Sequence, residues 1–363
     1  MAGVWDIFAY LGARGDKPMN LAISIGDSNG IGCEIILRSL EWLLRQCGQL
    51  PKQSSSVGGD SSPSALCTPI ICAHKSLLES ALQTLLTRGG IESRRASHIH
   101  CLLDMVCFEP PSIEPPPIHI AQITAESGAY SFASFAKAID LAQSLPDTAI
   151  LTLPIHKAAW KQAGISYAGH TEYLRAHFQR QALMVLGCEA MLVALFCDHI
   201  PLAQVSQHIS EPAYTDFLLA LESSLDFSQA LVLGFNPHCG DNGAIGGKED
   251  TLIQRALESA NATLNRQAFV GVVAPDSAFT PQMREKYRVF VAPYHDVGLA
   301  PLKALYFDQS INISLNLPII RTSVDHGVAF DLAYRGKAST QSFRNAALFA
   351  LKQLQKSHKL SPL

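Results

Sequence analysis

Short apolar runs recur along this chain and alternate with longer amphipathic stretches. The runs are rich in Val, Ile, Leu and Ala and end at residues that favour turns, which is typical of strands buried on both faces of a sheet. The predicted strands are Leu21–Ile25, Pro69–Ala73, Ala149–Leu153, Met191–Phe196, Leu231–Phe235, Val270–Val273 and Val289–Ala292. The predicted helices are Cys33–Arg45, Leu77–Leu86, Tyr130–Ser144, Thr171–Phe178, Ala213–Ser224, Asp250–Ala260 and Ser342–Leu354. This alternation predicts an α/β fold with a largely covered sheet.

Two segments interrupt the alternation. Gln49–Ser64 is polar and rich in Ser and Gly, so we expect a mobile surface loop there. Glu109–Pro117 is rich in proline and is expected to be a stiff, extended connector. The length of 363 residues exceeds what one hydrophobic core normally uses, which favours two lobes.

Charge and cysteine usage exclude several classes of partner. The formal net charge is −3 and no long basic run occurs, so neither nucleic acid nor an anionic membrane surface is an expected partner. The nine cysteines are odd in number and form no C-x-x-C pair, which indicates a reducing compartment. The beginning of the chain does not resemble a signal peptide, and no apolar stretch approaches the roughly 20 residues of a membrane-spanning helix. We therefore expect a soluble, cytoplasmic protein.

Polar turns after the predicted strands are the candidate binding elements, because ligands of open α/β sheets bind outside the carboxyl ends of the strands. Gly26–Gly32 joins a strand to a helix and offers backbone N–H groups to an anion; the alternative is a tight turn that needs positive φ. This segment matches neither standard nucleotide-binding fingerprint. His170 and Thr171 stand at a predicted helix start, where they suit a phosphate or carboxylate, unless Thr171 is only a helix cap.

Three histidines each follow a predicted strand. His199 comes after Met191–Phe196, His238 after Leu231–Phe235, and His295 after Val289–Ala292. A single histidine in such a place is more often structural than a metal ligand. Three of them at equivalent strand ends favour a metal site, because such ends lie side by side in a parallel sheet. Three neutral imidazoles leave one coordination position open, as in a catalytic metal site.

Three further polar residues are each flanked by apolar sequence. Lys303, Asn312 and Arg321 lie nine residues apart. A cation in apolar surroundings is unfavourable unless it is paired, so this pattern indicates an anionic ligand. The alternative is a structural ion pair with Asp296 or Asp325.

Seven blocks of the sequence, in this order, resemble the 4-hydroxythreonine-4-phosphate dehydrogenase family of pyridoxal 5′-phosphate biosynthesis. They are GDSNGIGCE, LPIHKAAW, GHTEYL, NPHCGDNG, YHDVGLAPLK, INISLNLPIIRTSVDHG and FDLAYRGKA. The resemblance implies a two-lobed fold like that of isocitrate and isopropylmalate dehydrogenases, with the active site in the cleft between the lobes. We expect one lobe to comprise residues 1–148 and 326–363, and the other to comprise residues 149–325.

The resemblance also implies an activity. Members of the family oxidise the C3 hydroxyl of a small phosphorylated substrate, 4-phosphooxy-L-threonine, with NAD or NADP. The resulting β-keto acid loses CO₂ and gives 3-amino-2-oxopropyl phosphate. A divalent metal (Zn, Co or Mg) favours deprotonation of the hydroxyl, and three imidazoles favour zinc or cobalt over magnesium. The family is homodimeric with the site at the subunit interface, so we expect a monomer to be inactive.

Residue roles follow from the same motifs. The implied metal ligands are His199, His238 and His295. The implied substrate contacts are His170, Thr171, Lys303, Asn312 and Arg321. The candidate catalytic residues are Lys303, Asp276 and Asp296. The two aspartates are candidates to pair with the substrate ammonium or to orient a metal ligand, and the general base is either Lys303 or a metal-bound water. No residue is assigned to the dinucleotide.

The chain departs from the family pattern at three positions. Ser28 and Cys33 stand where proline is common, and Asp198 stands where threonine is common. Asp198 precedes His199, and it either supports that ligand or faces solvent. No role is assigned to the first residues or to Gln49–Ser64. Three other functions fit the residues: a related dehydrogenase of 4-phosphorylated four-carbon sugar acids, a zinc hydrolase or lyase without a dinucleotide, and a non-catalytic metal-binding protein.

Overall fold

The computed structural model describes residues 19–51 and 67–360, which divide into two compact units. The terminal unit comprises the described residues up to Tyr173 together with those from Ile319 onwards, and the central unit comprises Leu174–Pro318. The start of the chain and most of the loop predicted at Gln49–Ser64 lie outside the described residues. No helix in the described ranges is long and apolar enough to cross a membrane.

A parallel sheet organises the terminal unit. Its strands are β1 (Met19–Ser24), β2 (Cys67–Ile71), β3 (Cys107–Phe108), β4 (Thr148–Thr152) and β11 (Ile320–Val324). Their order is β3-β2-β1-β4-β11. The helices are α1 (Gly32–Gln46), α2 (Lys75–Thr87), α3 (Ser93–Leu103), α4 (Ala125–Ser144), α5 (Lys157–Gln162), the beginning of α6 (His170–Phe178), and α13 (Gln341–Leu360). Every residue of β1 and β4 is buried, as the near-continuous apolar runs predict.

The central unit has a mixed sheet. Its strands are β5 (Leu183–Cys188), β6 (Met191–Cys197), β7 (Ala230–Leu233), β8 (Phe269–Val273), β9 (Val289–Tyr294) and β10 (Ile311–Leu315), in the order β10-β5-β6-β9-β7-β8. β10, β5 and β6 pair antiparallel, whereas β6, β9, β7 and β8 pair in parallel. The helices are α7 (Leu202–His208), α8 (Glu211–Ser224), α9 (Glu249–Leu264), α10 (Pro275–Ala278), α11 (Pro281–Lys286) and α12 (His295–Tyr306).

Capping side chains and apolar clusters explain why several elements form where they do. Thr124 accepts a hydrogen bond from the N–H of Ser127 at the start of α4, and Ser210 serves in the same way at the start of α8. One cluster of buried apolar side chains in the central unit is drawn mainly from its strands and α12. The cluster includes Met184, Val193, Leu231, Phe290 and Leu302.

The α/β class is confirmed, but several elements differ from the sequence prediction. β10 and β11 were not predicted because buried polar residues, among them Ser314, Arg321 and Thr322, interrupt their apolar pattern. β5 was not predicted either; it contains Gly187 and turns back directly into β6. α12 was not predicted because Pro301 lies inside it and indicates a loop. Short helices such as α5 and α7 also escape a periodicity argument, because they span less than about two turns.

The division between the units differs from the predicted boundaries at residues 148/149 and 325/326. In the structure it falls after Tyr173 and before Ile319. The reason is strand pairing: β4 pairs with β1, and β11 pairs with β4, so both strands belong to the sheet of the terminal unit. His170, Thr171 and Arg321 consequently lie in the terminal unit and not in the central one.

The glycine-rich segment after β1 forms a tight turn. Gly26 has a φ of +68°, and a Cβ at that position would lie 2.3 Å from the backbone oxygen of Pro154. Asp27 is fully buried in the turn and accepts a hydrogen bond of 2.9 Å from the N–H of Asn29. Burial raises the pKa of the Asp27 carboxyl. The need for positive φ is therefore confirmed at Gly26. Anion binding by this turn stays a prediction.

Candidate active site

The three strands that precede the candidate histidine ligands are neighbours in the sheet. β9 pairs in parallel with β6 on one side and with β7 on the other, so their carboxyl ends lie at one edge, as the sequence indicated. His199 follows the end of β6, and His295 begins α12 directly after β9. Their ring centres are 6.2 Å apart. Cys197 and Tyr294 are register partners at the ends of β6 and β9, which explains why these two histidines meet.

His238 occupies an unusual turn after β7. The 237–243 turn is the segment Pro237–Gly243, in which five consecutive residues have φ between 46° and 77°. His238, with a φ of 52°, is the first of them. Only one of the five is a glycine, although this left-handed region favours glycine. The side chain of His238 is exposed.

Two acidic neighbours contact the candidate ligands. The Nδ1 atom of His295 lies 2.7 Å from Oδ1 of Asp296, an arrangement that leaves Nε2 available to a metal. Asp198 accepts a hydrogen bond of 2.6 Å from the N–H of His199 and forms an ion pair of 2.5 Å with Arg175. Of the two roles considered for Asp198, the structure favours support of His199, through its backbone.

The histidine pair fits part of a metal site. Two imidazoles that share a tetrahedral zinc ion, with Zn–N distances of about 2.1 Å, have ring centres roughly 5 Å apart. His199 and His295 therefore need to approach by about 1 Å, which side-chain rotation at an exposed strand end allows. In the described part of this single chain, no three His, Cys, Asp or Glu side chains are close enough together to hold a metal ion.

His170 lies in an aromatic environment in the terminal unit. Its ring centre is 4.5 Å from that of Phe135 and 5.5 Å from that of Trp160, both in edge contacts. Burial, reinforced by the positive charge of Arg321, lowers the pKa of His170 well below its ordinary value. The buried Nε2 atom of His170 has no hydrogen-bond partner in the described chain. At neutral pH this imidazole is a neutral hydrogen-bonding group and not a cation.

Arg321 supplies a buried positive charge beside His170. The residue is 2% exposed and donates a hydrogen bond of 2.7 Å to Oγ1 of Thr152, the last residue of β4. Burial lowers the pKa of the guanidinium to about 9, and the carboxylate of Glu172 counteracts this effect. Thr171 is also buried. The sequence drew attention to Arg321, His170 and Thr171, but not to Glu172 or to Thr152, which strand pairing brings beside Arg321.

The remaining predicted residues lie in the central unit. Lys303 is half-buried on α12, and its Nζ lies 5.2 Å from the ring centre of Phe307. Asn312 lies in β10, and its Oδ1 atom is buried. Asp276 is exposed in the short helix α10, and Asp296 is also exposed. The roles of these four residues stay predictions.

The chain is similar to known proteins over most of its length. A sequence model of the family described as pyridoxal phosphate biosynthetic protein PdxA matches residues 65–350. The chain belongs to this family. It is 43% identical over 335 residues to the 4-hydroxythreonine-4-phosphate dehydrogenase of Sulfurimonas denitrificans, covering 92% of this chain and 97% of that protein. It is 43% identical over 327 residues to the Helicobacter pylori protein of the same name, covering 90% and 97%.

A solved structure of the PdxA family has the same fold. The crystal structure of 4-hydroxythreonine-4-phosphate dehydrogenase from Klebsiella pneumoniae matches with a TM-score of 0.69 and 28% identity, covering 94% of this chain and 98% of that chain. The resemblance drawn from the sequence blocks is confirmed. PdxA relatives with these names are oxidoreductases, whereas the metal, the dinucleotide and the dimer stay predictions for this chain.

Proposed function

We propose that this chain is a 4-hydroxythreonine-4-phosphate dehydrogenase. In the proposed reaction the C3 hydroxyl of 4-phosphooxy-L-threonine loses its proton, and C3 passes a hydride to NAD⁺ or NADP⁺. The β-keto acid then loses CO₂, the electrons of the broken bond remain at C2, and C2 takes up a proton to give 3-amino-2-oxopropyl phosphate. The main support is the identity of 43% to relatives with this name, along nearly the whole length of both chains.

Arg321 and His170 are the proposed contacts for an anionic group of the substrate. The guanidinium of Arg321 is 2% exposed, so its burial carries a desolvation penalty. Binding of an anion would offset this penalty. The neutral imidazole of His170, beside Arg321, has a buried Nε2 atom that is able to hydrogen-bond the same anion. Together they present one positive charge and one neutral hydrogen-bonding group, which suits a phosphate or a carboxylate.

His199, His238 and His295 are the proposed ligands of a divalent metal. When bound, this ion would polarise the C3 oxygen and stabilise the negative charge that develops during decarboxylation. The protein's own contribution is to orient the ligands: Asp296 orients the ring of His295, and Asp198 accepts a hydrogen bond from the backbone N–H of His199. Imidazole ligands favour zinc or cobalt over magnesium.

Exposed apolar residues support the proposed homodimer. Leu202 begins α7 just after His199, Ile245 follows the 237–243 turn, and Phe307 follows α12, which His295 begins. These side chains are 64%, 50% and 64% exposed, respectively. Large apolar side chains on the elements next to candidate ligands indicate a surface that another subunit covers. All nine cysteines are free thiols, which fits a cytoplasmic dinucleotide enzyme.

The test is an assay with 4-phosphooxy-L-threonine and NAD⁺ or NADP⁺, in which NADH or NADPH absorbance and released CO₂ are both followed. We expect reduced dinucleotide and CO₂ to form in equal amounts, and a chelator to abolish both. A parallel reaction with 4-phosphoerythronate, which lacks the amino group, measures selectivity. A folded, metal-loaded enzyme that yields no reduced dinucleotide from 4-phosphooxy-L-threonine contradicts the proposal, as does faster turnover of 4-phosphoerythronate.

The variant His238→Ala tests the ligand assignment separately. We expect it to lose bound metal and activity together, because it removes one of three protein ligands. The measurement is metal content by elemental analysis beside the rate of dinucleotide reduction. A wild-type metal content in this variant would exclude His238 from the ligand set.

A further inference from the structure

Two consecutive carboxylates stand at the start of α9, close to the turn that carries His238. Asp250 is 6% exposed and uses both of its carboxylate oxygens. One accepts a hydrogen bond of 2.7 Å from the N–H of Phe235. The other accepts hydrogen bonds from the backbone N–H and the side-chain amide of Asn236, at 3.1 Å and 2.7 Å. Asp250 therefore holds the two residues through which the chain enters the 237–243 turn.

The 237–243 turn needs such support. Its five consecutive residues with positive φ include four that are not glycine, and L residues remain in this region only where their surroundings hold them there. Backbone hydrogen bonds at the turn run from the N–H of Ala244 to the oxygen of Asp241 and from the N–H of Ile245 to the oxygen of Gly240. At its start, the N–H of Cys239 donates to the backbone oxygen of Asn236, so the first turn residues are anchored on Asn236. The direction in which His238 points consequently depends on what holds Phe235 and Asn236.

Glu249 connects this turn to the element that follows His199. One of its oxygens accepts a hydrogen bond of 3.2 Å from the side-chain amide of Asn236. The other accepts a hydrogen bond of 2.5 Å from the hydroxyl of Ser206, which lies in α7. α7 begins at Leu202, three residues after His199. A single side chain thus contacts both the segment before His238 and the helix after His199.

Glycines provide the space that these two carboxylates occupy. A Cβ at Gly234 would lie 2.9 Å from Oδ1 of Asp250, and a Cβ at Gly247 would lie 2.7 Å from Oε2 of Glu249. The Cβ at Gly247 would also lie 2.5 Å from Nδ2 of Asn236. The glycines on both sides of the turn therefore allow the carboxylates to approach the backbone closely. A side chain at either glycine would displace the neighbouring carboxylate.

We propose that Glu249 and Asp250 are positioning residues that fix His238 relative to His199. They act through the backbone and amide of Asn236 and through Ser206, and they do not touch the metal or the substrate. The effect of these two residues on catalysis rests on the proposed function, whereas their effect on the 237–243 turn does not. The effect on the turn can therefore be tested separately from the effect on catalysis.

The experiment compares Asp250→Asn and Glu249→Gln with the matched control Glu258→Gln. Asparagine presents an amide N–H₂ where one carboxylate oxygen accepted a backbone N–H, so Asp250→Asn breaks part of the network with little change of volume. Glu258 lies exposed on the same helix and accepts a hydrogen bond from Gln254. It controls for the loss of one negative charge on α9.

Three quantities are measured in the full-length enzyme: amide hydrogen exchange at residues 235–245, Co²⁺ affinity with the visible spectrum of the bound ion, and the separate values of kcat and KM. We expect faster exchange in this segment and Co²⁺ affinity lowered about 10- to 100-fold, the usual loss when a residue supporting a metal ligand is changed. The Co²⁺ spectrum and kcat should change, while KM stays within about twofold, because substrate contacts are untouched. Glu258→Gln should match the wild type.

Each outcome decides between support and refutation. Wild-type exchange at residues 235–245 in both variants overturns the proposal. So does a loss of thermal stability with an unchanged Co²⁺ spectrum and unchanged kcat, since that result assigns the pair a purely structural role. If the wild type itself binds no Co²⁺, the metal assignment of the proposed function fails, and the exchange data alone decide the positioning of the turn. Should Asp250→Asn fail to fold, Glu249→Gln carries the test through its contacts with Asn236 and Ser206.

Discussion

The substitution Arg321→Met should have two effects: it should raise the stability of the protein, and it should abolish substrate binding. Arg321 is 2% exposed, and burial lowers the pKa of its guanidinium from 12.5 to about 9. Each pH unit corresponds to about 1.4 kcal/mol, so the folded protein disfavours the charged form by several kcal/mol relative to the unfolded chain. Methionine has a similar length and no charge to desolvate, so Arg321→Met removes this unfavourable contribution.

The gain is partly offset by lost hydrogen bonding. Arg321→Met removes the donor to Thr152, and a hydrogen bond to a charged group contributes about 1.5–3 kcal/mol. The hydroxyl of Thr152 keeps its contact of 3.5 Å with the oxygen of Thr322. Arg321 makes further interactions that the variant also loses. We therefore expect a smaller net rise in the free energy of unfolding, about 1–2 kcal/mol, which raises Tm by roughly 2–8 °C at about 2–4 °C per kcal/mol.

The assay is scanning calorimetry with and without inorganic phosphate, beside steady-state kinetics. Phosphate should raise the Tm of the wild type but not that of Arg321→Met, because it binds only where Arg321 is present. Arg344→Met is the matched control: Arg344 lies on α13 in the same unit, half-buried over the ring of Trp42. That variant should keep full activity and show no gain in Tm. A fall of more than about 1 kcal/mol in the stability of Arg321→Met would refute the reasoning, because it would show the charge to be stabilising.

Three more changes test other parts of the structure. Folding lowers the pKa of His170, so below about pH 6.5 the unfolded chain binds a proton that the folded chain does not bind. The free energy of unfolding therefore falls by up to about 1.4 kcal/mol for each unit by which the pH is lowered. His170→Phe should flatten this loss between pH 6.5 and 5 in urea titrations, and an unchanged slope would contradict the assignment. Gly128→Ala places a Cβ 2.2 Å from the backbone oxygen of Ala159, so it should lower the free energy of unfolding by at least about 2 kcal/mol, even though alanine is the better helix former. Its control, Gly327→Ala, adds a Cβ with no atom within 4 Å and should leave the stability unchanged. Phe307→Glu should shift the protein to monomers in sedimentation and abolish activity; an active monomer would remove the proposed interface.

The sequence predicted the histidine edge of the central sheet through its strongest local signal. β6, β7 and β9 are apolar runs that are followed by His199, His238 and His295, and parallel strands bring their carboxyl ends to one edge. What the pattern lacked was the turn geometry: nothing local in Pro237–Gly243 predicts five residues with positive φ. Asp250, the residue that holds this turn, reads in the sequence as an ordinary acidic residue in the first turn of a helix.

The sequence also predicted only part of the environment of the buried cation, Arg321. Its apolar neighbours indicated that Arg321 needs an anionic partner, and the structural alternatives considered were Asp296 and Asp325. The structure adds two neighbours that the pattern did not indicate: the carboxylate of Glu172 acts on the charge of Arg321, and the hydroxyl of Thr152 accepts a hydrogen bond from it. Both residues are distant in sequence, and Thr152 reaches Arg321 because β11 pairs with β4.

The sequence alone determined the α/β class and the family, and it drew attention to the candidate site residues, because apolar periodicity and short motifs are local properties of the chain. The tertiary structure decided which of these side chains share an environment. It placed His170 against Phe135 and Trp160 and so made it neutral, it assigned β4 and β11 to the terminal unit, and it attached Asp250 to the turn of His238. These features arise from burial and from hydrogen bonds between residues far apart in the chain, which no local pattern encodes.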